Sequence, residues 1–233
     1  EWAGMVTRLD QAVGDVLALV HELNLDQKTL IFFAADNGHS CHGYDRDKSV
    51  ARIGDHFQSY GPTRGRKGDS YDGAFRVPAM ARWTGKIAPG RVSNKTWAFW
   101  DFLPTALEAA DLPVEKKTDG ISILPTLLGK PAEQVEHEYL YWEYNRNQAV
   151  RSGKWFAHRK NGGNVELYNL QQDPQQGDNL AKQQPELARQ MLRRMKKSHR
   201  PSEVWPSPGE STEAFQQRMK ATGILSRPRN IDG

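Results

Sequence analysis

Thr-Leu-Ile-Phe-Phe-Ala-Ala-Asp-Asn-Gly, residues 29–38, is a near-continuous apolar run that ends in two oxygen-bearing side chains and a glycine. A short apolar run bounded by turn residues predicts a strand buried on both faces, here residues 29–35. In open α/β sheets, ligands bind just beyond the carboxyl ends of such strands. The pattern therefore predicts that Asp36 and Asn37 lie at a ligand site, although on the local sequence alone an ordinary Asn-Gly turn is the favoured interpretation.

The side chains of Asp36 and Asn37 indicate which ligand such a site would suit. A carboxylate beside an amide carbonyl offers hard oxygen atoms, which favour Ca²⁺ or Mg²⁺ over zinc or copper. The nearby His39, Cys41 and His42 raise the alternative of a zinc site. Structural zinc needs four well-spaced ligands, and Cys41 is the only cysteine in the sequence, so the pattern disfavours zinc.

A second polar segment, residues 61–78, is punctuated by glycines and carries four cationic side chains. Glycines let a backbone approach a ligand closely, and a lysine near an oxyanion acts as a compact point charge. The segment leads into an apolar run at residues 77–83 that predicts another strand. It therefore indicates an anion-binding loop, with an ordinary solvated loop as the alternative.

In this order, the two segments resemble the sulfatase family, in particular bacterial arylsulfatases that are similar to hexosamine-6-sulfatases. The family pattern Arg-Gly-x-Lys-x-x-x-Tyr-Glu-Gly-Gly-x-Arg-Val-Pro lines up with residues 64–78, except that Asp72 replaces the usual Glu and Ala74 replaces the second Gly. Shorter matches follow at residues 81–87, 100–105, 119–125, 166–170, 173–174, 179–181 and 201–206. The resemblance therefore covers nearly the whole chain, and its motifs are specific.

The resemblance implies an activity and roles for individual residues. The activity is that of a sulfatase, a sulfuric ester hydrolase, acting on an aryl or sugar sulfate. Asp36 and Asn37 are the implied ligands of a calcium ion that touches the substrate sulfate, and Lys67 is the implied catalytic and sulfate-binding residue. His39 is a further candidate for contact with the substrate. The family also implies a periplasmic or secreted protein.

The nucleophile of the family has no counterpart in this sequence. Family members use a formylglycine made from the first residue of Cys/Ser-x-Pro/Ala-x-Arg. Cys41 is followed by His-Gly-Tyr-Asp and does not match, and neither a serine version nor the amino-terminal acidic pair that completes the calcium site precedes Asp36. We therefore expect the chain to be the carboxyl-terminal part of a longer sulfatase and to be inactive alone.

The periodicity of apolar residues predicts an α/β fold. The resemblance implies that residues 1–130 are part of the alkaline-phosphatase-like sheet sandwich of the sulfatases. A helix at 2–23, the two strands and a helix near 101–110 with Asp101 as its N-cap indicate half of a parallel, doubly covered sheet. Residues 131–200 are expected to form a small antiparallel sheet with a packed helix at 184–199, and residues 201–233 a polar tail. The predicted short strands and the helix of the tail lie at residues 138–144, 148–152, 154–158, 165–170 and 210–221.

Composition and charge bear on the partners of the chain. With 37% hydrophobic residues and no run of about 18 apolar residues, the sequence predicts no membrane span. The net charge of +4 invites a nucleic-acid partner, but much of the positive charge gathers near the end of one predicted helix. We interpret this cluster as a solvated helix face, with attraction to a polyanionic glycan as the alternative. Its members are Arg189, Arg193, Arg194, Lys196, Lys197 and Arg200. The expected partner is a sulfated small molecule or glycan rather than a nucleic acid, and the oligomeric state is not predicted.

Two other functions stay open at this point. One is a phosphoesterase of the alkaline-phosphatase superfamily, and the other is a non-catalytic glycan-binding derivative of a sulfatase. The Asp-Asn pair and the loop around Lys67 favour a sulfatase, since related phosphatases more often bind zinc through Asp-His pairs. Further candidates for the mouth of the site, which no spacing supports, are His56, His137 and Glu143.

The aromatic residues of the segment 138–144 have two interpretations. They could stack on a sugar ring or contribute to the core. Alternation along a strand places Tyr139 and Tyr141 on one face and Trp142 and Tyr144 on the other, which predicts that at least one pair is in the core.

Overall fold

The computed structural model describes residues 2–40, 61–114 and 118–222 of the 233-residue chain. The α-helices of these residues are α1 (Trp2–Glu22), α2 (Asp72–Phe75), α3 (Phe102–Ala109), α4 (Leu124–Leu127), α5 (Pro185–Ser198) and α6 (Thr212–Ala221), and two 3₁₀ helices lie at Phe99–Asp101 and Pro131–Glu133. The strands are β1 (Ile31–Ala34), β2 (Ala79–Arg82), β3 (Leu140–Tyr144), β4 (Asn147–Ser152), β5 (Trp155–Arg159) and β6 (Val165–Asn169). Every helix and strand that the sequence predicts is therefore present, with bounds shifted by a few residues.

The described residues fall into two units. The first contains those up to Asp36 and from Val77 to His137, and the second contains those from Asn37 to Arg76 and from Glu138 onwards. The cationic segment, residues 61–76, therefore belongs with the antiparallel sheet of the second unit. This grouping differs from the expected division at residue 130, because the segment packs its aromatic side chains onto that sheet.

In the first unit, β1 and β2 form a two-stranded antiparallel sheet, in which Ile31 pairs with Arg82 and Ala34 with Ala79. The expectation of a parallel sheet is wrong for this pair. Strands that pair antiparallel run in opposite directions, so β1 and β2 do not form the parallel pair of a βαβ unit. All four residues of β1 are partly exposed, so the predicted burial on both faces is not observed among the described residues.

Asp101 precedes α3 but does not cap it. Its φ and ψ of −78° and −16° are already helical, whereas an N-cap residue has an extended backbone, and its side chain makes no capping hydrogen bond. The buried carboxylate instead accepts from the backbone N–H groups of Ala98 and Ile121, both at 2.9 Å, and from Nε2 of His137 at 2.7 Å. Asp101 therefore ties three segments of the first unit together.

Helix α1 confirms the amphipathic helix that the sequence predicts. Apolar side chains on this helix, among them Met5, Leu9 and Val16, are exposed. Across the three described ranges, no helix, α1 included, is both long and apolar enough to cross a bilayer.

The second unit is built on a four-stranded antiparallel sheet in the order β3-β4-β5-β6. The register pairs Val150 with Ala157 and Ala157 with Leu167. Asn145 and Arg146 connect β3 to β4, and their φ values of 46° and 65° are those of the tight two-residue turns that join hairpin strands. The predicted small antiparallel sheet is confirmed.

One face of this sheet packs against α5. Val150, Ala157 and Leu167 lie on this face and are fully buried together with Met191 and Met195 of the helix. Because side chains alternate along a strand, these three residues share a face across three neighbouring strands. The packed helix that the sequence predicts is therefore confirmed.

The opposite face of the sheet carries a second apolar cluster, in which Phe156 and Tyr168 are buried beneath Tyr71 and Phe75 of the cationic segment. Phe75 also stacks on Trp142 of β3, with ring centroids 4.5 Å apart. The aromatic residues of β3 divide as the alternation predicts. Tyr139 and Tyr141 pack on the α5 side, Trp142 packs on this side, and Tyr144 is half exposed.

Candidate functional site

Asp36 and Asn37 follow the carboxyl end of β1. Just before them, the backbone N–H of Ala35 donates to the carbonyl oxygen of Pro78 at 3.3 Å. Asp36 is exposed and ends the first unit, whereas Asn37 is partly buried and begins the second. The side-chain nitrogen of Asn37 donates to the carbonyl oxygen of Gly38 at 2.9 Å, so a role as metal ligand would fall to its side-chain oxygen.

Two backbone hydrogen bonds join the Asn-Gly turn to the cationic segment. The N–H of Gly38 donates to the carbonyl oxygen of Ala74 at 2.8 Å, and the N–H of Lys67 donates to the carbonyl oxygen of His39 at 2.9 Å. Three of the four predicted site residues, Asn37, His39 and Lys67, are therefore brought together within the second unit.

The close approach of these two segments depends on glycine. A Cβ atom on Gly38 would lie 1.9 Å from the carbonyl oxygen of Gly73, and one on Gly73 would lie 2.7 Å from the carbonyl oxygens of Arg64 and Gly65. Both distances are well below the ~3.5 Å that is the lower end of the optimal separation of non-bonded heavy atoms. Ala74, where the family pattern has glycine, lies inside the one-turn helix α2 and is buried, so its methyl group is accommodated.

The loop around Lys67 is also anchored on the antiparallel sheet. Oγ of Ser70 lies 3.0 Å from Nε2 of His158 on β5, and the Tyr71 hydroxyl donates to Oε2 of Glu166 on β6 at 2.8 Å. Nδ1 of His158 lies 3.2 Å from the same Glu166 oxygen, and the Tyr71 ring stacks on the imidazole with centroids 4.1 Å apart. Ser70 and His158 are each 2% exposed, so this contact lies in the interior of the unit.

Charged groups hold the adjoining parts of the segment. The buried Asp72 carboxylate accepts from Arg76 at 2.8 Å and from Arg151 of β4 at 3.1 Å. The backbone N–H of Asp72 donates to the side-chain oxygen of Gln176 at 3.0 Å, and Arg64 donates to the Gln176 carbonyl oxygen at 2.8 Å. The carboxylate that the family pattern places at this position is thus retained in Asp72 and is fully engaged.

Lys67 has a fixed backbone and an exposed side chain. The ion pairs of its loop are formed by Arg66 with Asp69 at 4.0 Å and by Arg76 with Asp72 at 2.8 Å. Within the described ranges, no acidic side chain forms an ion pair with Lys67. The ammonium group can therefore meet an anionic ligand without first breaking a salt bridge among these residues.

Burial and hydrogen bonding shift the pKa values of the groups beneath the loop. Burial lowers the pKa of His158, which keeps the imidazole neutral near pH 7 despite the neighbouring Glu166. Burial raises the pKa of Glu166, but hydrogen bonds from Tyr71, Tyr168 and His158 outweigh it, so the net shift is downward. Burial and Glu166 together raise the pKa of Tyr168 to about 12. The carboxylate is therefore ionised and the tyrosines are hydrogen-bond donors.

The other candidates are not gathered around this site in the described residues. His137 is bonded to Asp101 in the first unit, and Glu143 accepts from Nδ1 of His199 at 2.8 Å. Both side chains therefore have structural partners. Among the residues that are described, no group of three or more His, Cys, Asp or Glu side chains is placed to hold a metal ion. Three candidates lie outside the described residues, namely Cys41, His42 and His56.

Sequence reasoning did not identify the buried group of Ser70, His158 and Glu166. A signal was available, because His158 and Glu166 place polar side chains on a strand face that Phe156 and Tyr168 make apolar. Nothing local to the sequence, however, indicates that Ser70, 88 residues away from His158, meets that face.

Comparisons with known proteins bear on the same segments. Residues 2–112 match the sulfatase family, and residues 67–201 match the family described as N-sulphoglucosamine sulphohydrolase, C-terminal. The chain is 33% identical to arylsulfatase A of Bos taurus, over 81% of this chain and 40% of that protein. It is 28% identical to N-acetylgalactosamine-6-O-sulfatase of Bacteroides thetaiotaomicron, over 80% of this chain and 39% of that protein. The solved structure of Ps i-CgsB superimposes with a TM-score of 0.70 and 26% identity, over 94% of this chain and 47% of that one.

The second of these matches covers more than half of the chain, and the chain belongs to the sulfatase family. It spans about two fifths of the length of the two curated relatives. The predicted family and the predicted mixed α/β fold with a small antiparallel sheet are thus confirmed.

Replacing Gly38 by alanine is expected to lower the free energy of unfolding of the second unit by about 3 kcal/mol, because the added Cβ would collide with the backbone of Gly73. Gly177→Ala is the matched control, since a Cβ there meets only the Asp173 carboxylate at 4.0 Å. Urea unfolding followed by circular dichroism measures both variants. Equal stabilities would contradict the close approach of the two segments.

The lowered pKa of His158 predicts a pH dependence of stability. Below its ordinary value of 6.5, the unfolded chain takes up a proton that the folded chain does not, so the free energy of unfolding falls as the pH decreases. Glu166 acts in the same direction only below its ordinary value of 4.5. When the pH is lowered from about 7.5 to 5.5, the melting temperature of His158→Gln should therefore fall less than that of the unchanged chain.

Gln183→Ala supplies the control for this measurement, because it changes an exposed side chain that has no ionisable group. This control should keep the slope of the unchanged chain in thermal melts. Identical slopes for His158→Gln and the unchanged chain would show that His158 takes up its proton equally in the folded and unfolded states.

Proposed function

We propose that these residues form part of the sulfate and calcium site of a sulfuric ester hydrolase that acts on an aryl or sugar sulfate. The observation that carries the proposal is the pair of backbone hydrogen bonds that join the Asn37–His39 turn to the Lys67 loop. The two motifs that resemble the sulfatase site are far apart in the sequence, yet they form one structural element. Membership of the sulfatase family supports the same function.

Lys67 is proposed to bind the sulfate group and to stabilise the transition state. A sulfate ester carries one negative charge, and more charge develops on the bridging oxygen as the sulfur–oxygen bond breaks. A compact ammonium group on a fixed backbone is suited to both tasks, because a preorganised charge needs no rearrangement during the reaction. His39, whose carbonyl oxygen accepts from the Lys67 backbone, is proposed as a further substrate contact.

Asp36 and Asn37 are proposed to hold a calcium ion. Their donor set fits the ion, since a carboxylate and an amide oxygen are hard ligands of the kind that calcium prefers. Calcium takes about six to eight oxygen ligands, so the remaining ones come from other groups of the native protein or from water. When bound, the ion supplies Lewis-acid polarisation of the sulfate oxygens. The chain's own contribution is to present both oxygens on adjacent residues after a strand.

The nucleophile is proposed to be the formylglycine of the family, made from a Cys/Ser-x-Pro/Ala-x-Arg motif. These 233 residues contain no match to that motif, so the residues named here bind and stabilise rather than attack. The native coding sequence upstream of Glu1 tests this directly. An in-frame motif and an acidic pair would support the sulfatase mechanism, and a message that starts at Glu1 would leave a non-catalytic, glycan-binding role.

A sugar sulfate is the proposed substrate class, because one relative that matches 80% of the chain is named for a sulfated amino sugar. The relative named arylsulfatase A keeps aryl sulfates as the second class. A periplasmic or secreted location is proposed to accompany such a substrate. The test is to measure the hydrolysis of 4-nitrophenyl sulfate, 4-nitrophenyl phosphate and a 6-sulfated amino sugar by the native protein. Preferred hydrolysis of a sulfate would support a sulfatase, and preferred hydrolysis of the phosphate would indicate a phosphoesterase.

Replacing Lys67 by alanine in the native protein should lower the turnover of 4-nitrophenyl sulfate by about 10²–10³-fold, because one preorganised charge is lost from the transition state. Lys182→Ala is the control, since Lys182 is exposed and lies outside the loop. Steady-state kinetics on both variants measure the effect. Equal turnover in the two variants would show that Lys67 does not contribute to catalysis.

Replacing Asp36 by alanine should abolish the stabilisation that calcium confers on the native protein. A ligand at about 100 times its dissociation constant stabilises the folded state by about 2.7 kcal/mol, which raises the melting temperature by several degrees. Calcium titration by thermal melting measures this rise, with Asp10→Ala on the exposed surface of α1 as the control. The same calcium-dependent rise in both variants would refute Asp36 as a ligand.

A further inference from the structure

Beneath the Lys67 loop, a series of side-chain contacts runs from Ser70 through His158 to Glu166. Ser70 is three residues after Lys67, and its Oγ is 3.0 Å from Nε2 of His158. On the other side of the ring, Nδ1 of His158 is 3.2 Å from Oε2 of Glu166. The three side chains come from the loop and from two neighbouring strands, β5 and β6, whose register pairs His158 with Glu166. They therefore connect the loop to strands β5 and β6 of the antiparallel sheet.

The direction of each hydrogen bond follows from the ionisation of Glu166. An ionised carboxylate only accepts, and Oε2 of Glu166 receives the hydroxyls of Tyr71 at 2.8 Å and Tyr168 at 2.9 Å. The Nδ1 atom of His158 must therefore carry a proton and donate to Glu166. In a neutral imidazole, Nε2 is then an acceptor, so the Ser70 hydroxyl donates to it. With Glu166 ionised and His158 neutral, each of these atoms therefore has one role, either donor or acceptor.

This order of groups is that of a serine nucleophile with its base, but its surroundings exclude that chemistry. Ser70 and His158 are each 2% exposed, so no substrate can reach the hydroxyl. The Tyr71 ring covers the imidazole at a centroid distance of 4.1 Å, and the Arg64 guanidinium lies 3.8 Å above Tyr71. What remains for these side chains is to hold the loop in place.

We propose that Ser70, His158 and Glu166 are positioning residues that fix the backbone of the Lys67 loop on the antiparallel sheet, and that they thereby set the place of the Lys67 ammonium group. The loop is held on two sides, because the N–H of Lys67 itself is bonded to His39. The part of the inference that concerns the ammonium group rests on the proposed function of Lys67. The part that concerns the backbone of the loop does not.

The short connection between Lys67 and Ser70 makes this coupling direct. Gly68 has a φ of +88°, and the N–H of Asp69 donates to the carbonyl oxygen of Arg66 at 2.9 Å, so the chain turns tightly between the two residues. Because the turn is tight, a displacement of the Ser70 backbone is expected to displace the Lys67 backbone by a similar distance. Because a misplacement of about 1 Å can cost about 10²-fold in rate, small changes at Ser70 are expected to reach catalysis.

Hydrogen exchange in the native protein tests the positioning of the backbone. Ser70→Ala removes the donor, and His158→Leu removes the acceptor while filling most of the space. Either change should raise the exchange rate of amides in residues 64–72 by about tenfold, with no change in β3 and β4. His158→Gln places an amide oxygen where Nε2 was and should restore slow exchange. Ser152→Ala is the matched control, since that hydroxyl donates to the Glu138 carbonyl oxygen on the same sheet.

Two results would overturn the proposal. One is an unchanged exchange rate in residues 64–72 for Ser70→Ala and His158→Leu. The other is an equal rise throughout the sheet, which would assign these residues to general stability. A rise confined to the loop, with rescue by His158→Gln, supports the proposal, because a merely structural role has no reason to be local or to depend on the acceptor.

Turnover of 4-nitrophenyl sulfate by the same variants separates this proposal from that for Lys67. Ser70→Ala is expected to lower kcat by about tenfold and to leave KM within about twofold, because the lysine is displaced rather than removed. If Lys67→Ala leaves turnover intact while the loop exchanges faster in Ser70→Ala, the proposed role of Lys67 in catalysis is wrong. The proposal that Ser70 positions the backbone of the loop is then still supported. If Lys67→Ala abolishes turnover but Ser70→Ala changes neither exchange nor turnover, the proposal that Ser70 positions the loop is wrong. The proposed role of Lys67 in catalysis is then still supported.

Discussion

The contact between Gly38 and Gly73 is the constraint on which the second unit depends. A Cβ on Gly38 would lie 1.9 Å from the Gly73 carbonyl oxygen, so the two backbones can meet only because Gly38 has no side chain. This approach permits the hydrogen bonds from Gly38 to Ala74 and from Lys67 to His39. The Asn37–His39 turn and the loop that carries Lys67 therefore share one backbone arrangement within the second unit. A functional site requires such an arrangement because its charges must be placed before the ligand arrives.

The antiparallel sheet supports this arrangement through a polar network. Its α5 face carries the apolar cluster of Val150, Ala157 and Leu167, whereas the opposite face combines Phe156 and Tyr168 with His158 and Glu166. Buried polar groups stabilise a unique arrangement when all their hydrogen bonds are made and destabilise it when one partner is lost. On this face, both ring nitrogens of His158 are paired, Nε2 with Ser70 and Nδ1 with Glu166. The sheet thus acts as a platform that specifies one position of the loop.

Local patterns predicted the elements of the fold better than the pairing between them. The apolar periods gave the helices α1 and α5 and all four strands of the small sheet, because each depends on residues close in sequence. They did not predict the antiparallel pairing of β1 with β2, because this pairing joins segments that are far apart in the sequence. They also failed for Asp101, whose carboxylate accepts from Ala98, Ile121 and His137 and makes no capping hydrogen bond to α3.

By itself, the sequence determined the family of the protein and the candidate residues Asp36, Asn37, His39 and Lys67, because these stand in short motifs whose spacing is written along the chain. The tertiary structure decided which face of the sheet covers the Lys67 loop and which side chains meet beneath it. Ser70 and His158 are 88 residues apart, and alternation can place His158 on a face without saying what packs there. That information resides in the fit between surfaces, which only the folded chain brings together.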